Sequence, residues 1–197
     1  SYQMLKAMVR YDPDVKFLPD QTLFISPDEG GMSRAMYYSS VLGLDLGMFY
    51  KRRNYTIVVD GRNPIEAHEY LGNSVQGKNV IIVDDMISSG DSMIDVAYQL
   101  KERGASKIFV FATFGLFCNG LENFDKAYNQ GLFNRIYTTN LNYRDHSVIE
   151  REWYREVSMC KYVAYIIDTL NRDESISDLL NPVGRIHNLI DQAKLNY

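Results

Sequence analysis

Apolar residues recur along the chain in two alternating patterns, short continuous runs and helical spacings. Continuous runs predict strands that are buried on both faces, and they occur at 22–25, 46–50, 80–83, 108–113 and 135–139. Spacings of three and four residues predict helices, and they occur at 2–8, 32–42, 92–103, 121–129, 162–170 and 186–193. Strands that alternate with helices predict a three-layer α/β fold with a mostly parallel central sheet.

A single domain over residues 1–197 is the simplest organisation, because the sequence contains no repeat or linker. Residues 51–64 are polar and irregular, which predicts a long surface loop with or without a small hairpin. The sequence begins with Ser1 instead of Met. We therefore expect it to be the C-terminal half of a longer two-domain protein.

Composition narrows the possible functions. With 21 basic and 25 acidic residues the net charge is -4, which argues against binding to nucleic acid. No apolar run approaches the roughly 20 residues of a membrane-spanning helix, so we expect no membrane segment. Cys118 and Cys160 are isolated and are predicted to be small buried side chains in a reducing, cytoplasmic protein.

An acidic pair and a loop of small residues follow the clearest predicted strand. Asp84 and Asp85 come directly after residues 80–83, and the loop that opens the next helix consists of Ser88, Ser89, Gly90, Asp91 and Ser92. Backbone N–H groups and the helix dipole favour an anion at such a loop. Carboxylates accept hydrogen bonds from sugar hydroxyls or hold Mg²⁺. The pattern predicts a site for a phosphorylated sugar.

A second polar turn follows the first predicted strand. It contains Asp28, Glu29, Gly30 and Gly31 and precedes a helix. The glycines let the backbone approach a ligand closely, and Asp28 can reach a metal ion. A turn that uses glycine only for its geometry explains the same residues equally well. Ligands of parallel sheets bind beyond the carboxyl ends of the strands, so we expect the two turns to share one site.

These motifs resemble those of a known family. Residues 80–92 are similar to the phosphoribosyl-binding motif of type I phosphoribosyltransferases and ribose-phosphate pyrophosphokinases. Residues 26–31, Ser-Pro-Asp-Glu-Gly-Gly, resemble the diphosphate loop of the pyrophosphokinases. Lys51-Arg52-Arg53 resembles the start of their flexible catalytic loop. The resemblance spans about residues 22 to 180 and implies a type I phosphoribosyltransferase-like fold.

The resemblance implies a Mg²⁺-dependent ribose-phosphate diphosphokinase of nucleotide biosynthesis, which transfers the diphosphoryl group of ATP to ribose 5-phosphate. Asp84 and Asp85 would then bind the ribose, and the loop after them the 5-phosphate. The turn at 28–31 would bind diphosphate, with the metal on Asp28. Lys51 and Arg53 would be catalytic, because phosphoryl transfer depends on positioned cations. The family also implies a homo-oligomer.

Two other functions remain open. A type I phosphoribosyltransferase acting on a nucleobase shares the acidic-pair loop, but it does not explain residues 26–31 or 51–53. A non-catalytic, regulatory homologue of the synthetase is suggested by Asp91 and Phe114, which stand where the family usually has Gly and His. In the family, an N-terminal domain and a neighbouring subunit supply much of the ATP site. We therefore expect little or no activity from the isolated chain.

Overall fold

The computed structural model describes residues 1–53 and 65–195. The strands are β1 (Thr22–Ser26), β2 (Asp45–Arg53), β3 (Ile65–Leu71), β4 (Asn79–Ile87), β5 (Ile108–Gly115), β6 (Arg135–Thr139) and β7 (Tyr154–Val157). The helices are α1 (Tyr2–Tyr11), α2 (Met32–Leu42), α3 (Asp91–Glu102), α4 (Glu122–Asn129), α5 (His146–Ile149), α6 (Cys160–Asn171), α7 (Ser177–Leu180) and α8 (Val183–Lys194).

The strands form one sheet in the order β3-β2-β1-β4-β5-β6-β7. All neighbouring pairs are parallel except β2 and β3, which are antiparallel. The predicted α/β fold with a mostly parallel sheet is confirmed. Parallel strands need crossover connections, and the helices between them supply these connections.

Alternate residues of the central strands enter two separate cores, as the period of a strand requires. Leu23 and Ile82 pack with α3 and α4 on one face of the sheet. Phe24 and Ile81 pack with α1, α2 and α8 on the other face. All four side chains are fully buried. The sheet is therefore the middle of three layers, as predicted.

Most predicted elements occur with ends shifted by a few residues. The helix predicted at 32–42 has those bounds in the structure, and Gly43 ends it in the left-handed conformation with φ 65°. The strand predicted at 80–83 is longer and continues through the acidic pair to Ile87. Strands β3 and β7 were not predicted. Both lie at the edges of the sheet, where a strand depends on its pairing partner more than on an apolar run.

The predicted loop at 51–64 is partly wrong. Residues 51–53 continue β2 and pair with β3, with Lys51 opposite His68 and Arg53 opposite Ile65. These polar residues form a strand because their backbone pairs with β3. Residues 54–64 lie outside the described part of the chain.

Two smaller predictions can also be compared with the structure. Cys118 and Cys160 are both exposed, so their predicted burial is wrong. Cys118 lies in the connection after β5, and Cys160 is the first residue of α6. Neither belongs to a strand of the central sheet. Within residues 1–53 and 65–195, none of the helices has both the length and the apolar character needed to cross a bilayer.

Candidate sugar-phosphate site

The centre of the sheet contains a topological switch point between β1 and β4. From β1 the chain passes to β2 on one side, and from β4 it passes to β5 on the other side. Open α/β sheets bind ligands in the crevice outside the carboxyl ends of strands at such a point. Both predicted polar loops begin there, the first after Ser26 and the second after Ile87.

A cavity of about 340 Å³ lies at the switch point. The residues of the sequence-predicted site that line it are Asp28, Gly30, Asp84, Asp85, Ser88, Ser89, Gly90 and Ser92. Glu29, Gly31 and Asp91 are not part of its lining. The structure thus brings the two loops, which are about sixty residues apart in sequence, to one cavity with the acidic pair between them.

The first turn is held by its own side chains. The hydroxyl of Ser26 donates to the carbonyl oxygen of Asp28 at 2.6 Å, and the backbone N–H of Gly31 donates to Oδ1 of Asp28 at 3.1 Å. A Cβ on Gly31 would lie 2.7 Å from Oγ of Ser26 and 3.3 Å from the carbonyl oxygen of Val83. Gly31 therefore has a packing role, since it lets the turn lie against β4.

The acidic pair is fixed by local hydrogen bonds. Oδ1 of Asp84 accepts from the N–H of Asp85 at 2.8 Å, and Oδ1 of Asp85 accepts from the N–H of Met86 at 2.9 Å. Each carboxylate is oriented by the peptide group that follows it. Both residues of the acidic pair line the cavity.

Arg34 is a site residue that sequence reasoning missed. Its Nη2 lies 3.0 Å from Oδ2 of Asp85, and its Nη1 donates to the carbonyl oxygen of Gly30 at 3.4 Å. The two paired side chains are 40% and 43% exposed, so the ion pair contributes little to stability. The pair instead holds these groups in position, because Arg34 on α2 contacts both Gly30 of the first turn and Asp85 of the acidic pair. One sequence feature could have indicated Arg34: it is a cation in the first turn of α2, directly after the two glycines of the first polar turn.

The pKa of Asp84 is raised to about 6. Burial is the largest cause, and the nearby charges of Asp85 and Asp28 add to it, while the hydrogen bond from the backbone of Asp85 lowers it. The folded state therefore holds a proton that the unfolded state releases between pH 3.8 and 6. The contribution of Asp84 to the free energy of unfolding falls as pH rises through that window.

The loop Ser88–Ser92 rests on an aromatic cluster. Gly90 has φ 88°, and a Cβ there would lie only 2.0 Å from Cζ of Phe124. Phe124 is fully buried and stacks on Trp153 at 5.5 Å between ring centroids. Close contact with this cluster and the left-handed backbone both require glycine at this position. The cluster therefore fixes the height of the loop above the sheet.

Asp91 neither blocks the cavity nor caps the helix. The N-cap of α3 is Gly90, and the backbone N–H of Asp91 donates to the hydroxyl of Ser89 at 3.4 Å. Oδ2 of Asp91 instead accepts a hydrogen bond from the hydroxyl of Ser89 at 2.8 Å. The carboxylate of Asp91 thus stands beside the loop, where it adds negative charge without occupying the cavity.

Lys51 and Arg53 are the remaining residues of the predicted site. The backbones of Lys51 and Arg53 belong to β2, which is parallel to β1 and lies next to it. Their side chains lie outside the described part of the structure. Their catalytic roles stay a prediction.

The site supplies oxygen ligands for a cation, but only a few. Asp28 and Asp84 line the same cavity, and each carries a carboxylate. In the part of the chain that the structure describes, no group of three or more His, Cys, Asp or Glu side chains is arranged around one metal position. Mg²⁺ is commonly bound by one or two carboxylates together with water and substrate phosphates. The donor set therefore fits Mg²⁺ that arrives with a phosphate ligand.

The fold and this site define the class of the protein as a phosphoribosyltransferase-like α/β domain. The structure superposes on that of phosphoribosylpyrophosphate synthetase from Mycobacterium smegmatis with a TM-score of 0.68. The two are 18% identical, and the match covers 87% of this chain and 51% of the other. This likeness establishes the fold.

Sequence comparison identifies the family. Residues 53–181 match the model of the phosphoribosyl synthetase-associated domain, and the chain belongs to that family. It is 42% identical to a ribose-phosphate pyrophosphokinase of Pyrococcus abyssi over 109 residues, 55% of this chain and 36% of the relative. It is 31% identical to one of Vibrio parahaemolyticus over 163 residues, 82% of this chain and 49% of the relative. The matched part thus spans between a third and a half of these relatives.

The contact between Gly90 and Phe124 can be tested with a matched pair of variants. Gly90→Ala and Gly131→Ala both place a methyl group on a left-handed residue, with φ 88° and 72°, but only the first meets other atoms within 4 Å. We expect Gly90→Ala to lose about 1–3 kcal/mol more free energy of unfolding than Gly131→Ala. Urea denaturation measures both. Equal losses would show that Phe124 does not constrain the loop.

The raised pKa of Asp84 can be measured directly by NMR titration of the carboxyl carbon. We expect a midpoint near pH 6 in the unmodified chain. Asp85→Asn removes a neighbouring negative charge, so the pKa of Asp84 should fall. Asp168→Asn, on the distant helix α6, is the control and should leave it unchanged. Titration of Asp84 near 3.8, its ordinary value, would contradict the described burial.

Proposed function

We propose that this chain provides the sugar-phosphate and diphosphate half of a ribose-phosphate diphosphokinase site. The observation that carries the proposal is the convergence of the 28–31 turn and the 88–92 loop on one cavity, with Asp84 and Asp85 between them. A phosphorylated sugar that is also the acceptor of a diphosphoryl group needs two anion loops on either side of its hydroxyls. Membership of the synthetase-associated family supports the same choice.

The residues have separate roles in this proposal. Backbone N–H groups of the loop Ser88–Ser92 and the positive end of α3 hold the 5-phosphate. Asp84 and Asp85 accept hydrogen bonds from the ribose hydroxyls, and Arg34 keeps Asp85 in place. This arrangement points the anomeric carbon towards the 28–31 turn, which holds the transferred diphosphoryl group.

The reaction is a displacement at phosphorus. The anomeric hydroxyl oxygen forms a bond to the β-phosphorus of ATP, the bond from that phosphorus to the bridging oxygen of AMP breaks, and the hydroxyl proton is released. Negative charge develops on the transferred group and on AMP, so positioned cations accelerate the reaction. We assign this role to Lys51 and Arg53, by resemblance to the catalytic loop of the family. Mg²⁺ held at Asp28 would neutralise the diphosphate oxygens.

Neither alternative has equal support. A phosphoribosyltransferase would use the acidic pair and its loop, but it does not explain the Ser-Pro-Asp-Glu-Gly-Gly sequence of residues 26–31, which resembles the diphosphate loop of the pyrophosphokinases. A non-catalytic homologue would be favoured if Asp91 closed the cavity, and Asp91 lies outside its lining. The charge of Asp91 still opposes an anion, so it should weaken binding without abolishing it.

Calorimetry with ribose 5-phosphate tests the proposed sugar-phosphate site. We expect binding of ribose 5-phosphate and no measurable binding of ribose, since the phosphate supplies most of the affinity. Asp91→Asn should tighten binding by about ten-fold or less, because one like charge near the phosphate is removed. Asp95→Asn, one turn further along α3, is the matched control and should change affinity little. Absence of binding in both the unmodified chain and Asp91→Asn would refute the proposal.

Release of AMP from ATP and ribose 5-phosphate tests the catalytic half of the proposal. In the family, an N-terminal domain and a neighbouring subunit provide much of the ATP site. We therefore expect the isolated chain to bind ribose 5-phosphate yet to release AMP slowly or not at all. Rapid turnover by residues 1–197 alone would contradict this division of the site. Pyrophosphate release with a purine or pyrimidine acceptor would instead support the phosphoribosyltransferase.

A further inference from the structure

Two serine hydroxyls of the loop Ser88–Ser92 donate their protons to groups outside the cavity. The hydroxyl of Ser89 donates to Oδ2 of Asp91 at 2.8 Å, and the hydroxyl of Ser88 donates to Sγ of Cys118 at 3.7 Å. Both serines line the cavity, whereas Asp91 and Cys118 do not. A hydroxyl group has one proton and two lone pairs. Towards a ligand in the cavity, the two serine oxygens therefore present lone pairs that accept hydrogen bonds.

Asp91 reduces the affinity of the loop for an anion in two ways. Its carboxylate takes the proton of Ser89, and its backbone N–H donates to Oγ of Ser89 at 3.4 Å. Two donors that a phosphate would otherwise use are thus engaged within the loop. Asp91 is also the first residue of α3, where a carboxylate offsets the positive end of the helix dipole. The loop can still bind an anion, but it opposes a high negative charge.

The elements around the loop add further carboxylates. Those that line the cavity or lie in the first turn of α4, below the loop, are Asp28, Asp84, Asp85, Glu122 and Asp125. Asp85 is paired with Arg34, and Asp125 with Arg151. The titratable group of the connection after β5 is the thiol of Cys118 that contacts Ser88. The surroundings of the loop therefore do not offset the charge of Asp91.

We propose, building on the sugar-phosphate function proposed above, that Asp91 makes this loop select a phosphate that carries one negative charge. A phosphate monoester passes from one to two negative charges with a pKa of about 6. The singly charged form keeps a P–O–H group, which can donate to the lone pairs of Ser89. The doubly charged form has no such donor, and the charge of Asp91 repels it twice as strongly. Asp91 thus determines specificity for the charge state of the substrate.

The test compares the binding of ribose 5-phosphate and ribose 5-sulfate by calorimetry at pH 7.5 and at pH 5.5. The sulfate ester keeps one negative charge throughout, so it reports the effects of pH on the protein alone, including uptake of a proton by Asp84 near pH 6. We expect the affinity for the phosphate, relative to the sulfate, to rise by about five-fold or more as pH falls through the second pKa of phosphate.

Asp91→Ala removes the carboxylate and frees the hydroxyl of Ser89 to donate to the ligand. In this variant the relative affinity should stay constant or fall as pH falls, because the doubly charged phosphate is no longer disfavoured. Asp95→Ala, one turn further along α3, is the matched control and should keep the rise. Circular dichroism of both variants shows whether α3 is retained.

The possible outcomes distinguish this selection from the proposed function itself. In the unmodified chain, a relative affinity that stays flat or falls as pH falls would refute selection of the singly charged phosphate and leave the sugar-phosphate site intact. A rise that survives Asp91→Ala would also refute it, since another group would then cause the selection. Failure of both esters to bind at either pH would refute the proposed function, and the role of Asp91 with it.

Discussion

The parallel pairing of β1 with β4 is the constraint on which the candidate site depends. Ile25 pairs with Ile82, and both side chains are fully buried. Because neighbouring strands lie about 4.8 Å apart, the segments that leave them start side by side. The chain then diverges to β2 and to β5, which leaves a crevice between two polar loops. A shift of this register would separate the turn of Asp28 from the acidic pair.

In the rest of the site, two loops pack on buried residues, and several carboxylates lie close together above them. Glycine lets each loop contact its support, Gly31 against β4 and Gly90 against Phe124. Above them, carboxylates are gathered in one place, and the raised pKa of Asp84 expresses the cost of that arrangement. Arg34 offsets part of the charge from α2. A ligand that donates hydrogen bonds from its hydroxyls, accompanied by a cation, would stabilise the negative charge that remains. The proposed sugar phosphate with Mg²⁺ is such a ligand.

Much of this architecture could be predicted from the sequence, and the exceptions have physical reasons. The apolar run at 80–83 marked the central strand, and Gly43 marked a helix end, because burial and backbone conformation select those residues directly. Strand β7 and the extension of β2 through Lys51 could not be predicted, since both depend on backbone pairing with another strand, β6 and β3 respectively, and not on an apolar run. Arg34 was missed for a similar reason. Its partner Asp85 is 51 residues away, and no local pattern connects them.

The two loops that line the cavity could be selected from the sequence because of their small polar residues, whereas the supporting aromatic cluster has no such motif. Whether the two loops act on one ligand is the central claim, and a crystal structure of the chain with ribose 5-phosphate and Mg²⁺ tests it most directly. We predict the 5-phosphate on the loop Ser88–Ser92, the ribose hydroxyls at the acidic pair and the anomeric carbon facing Asp28. A sugar phosphate bound elsewhere, or one turned with its anomeric carbon away from Asp28, would contradict the account.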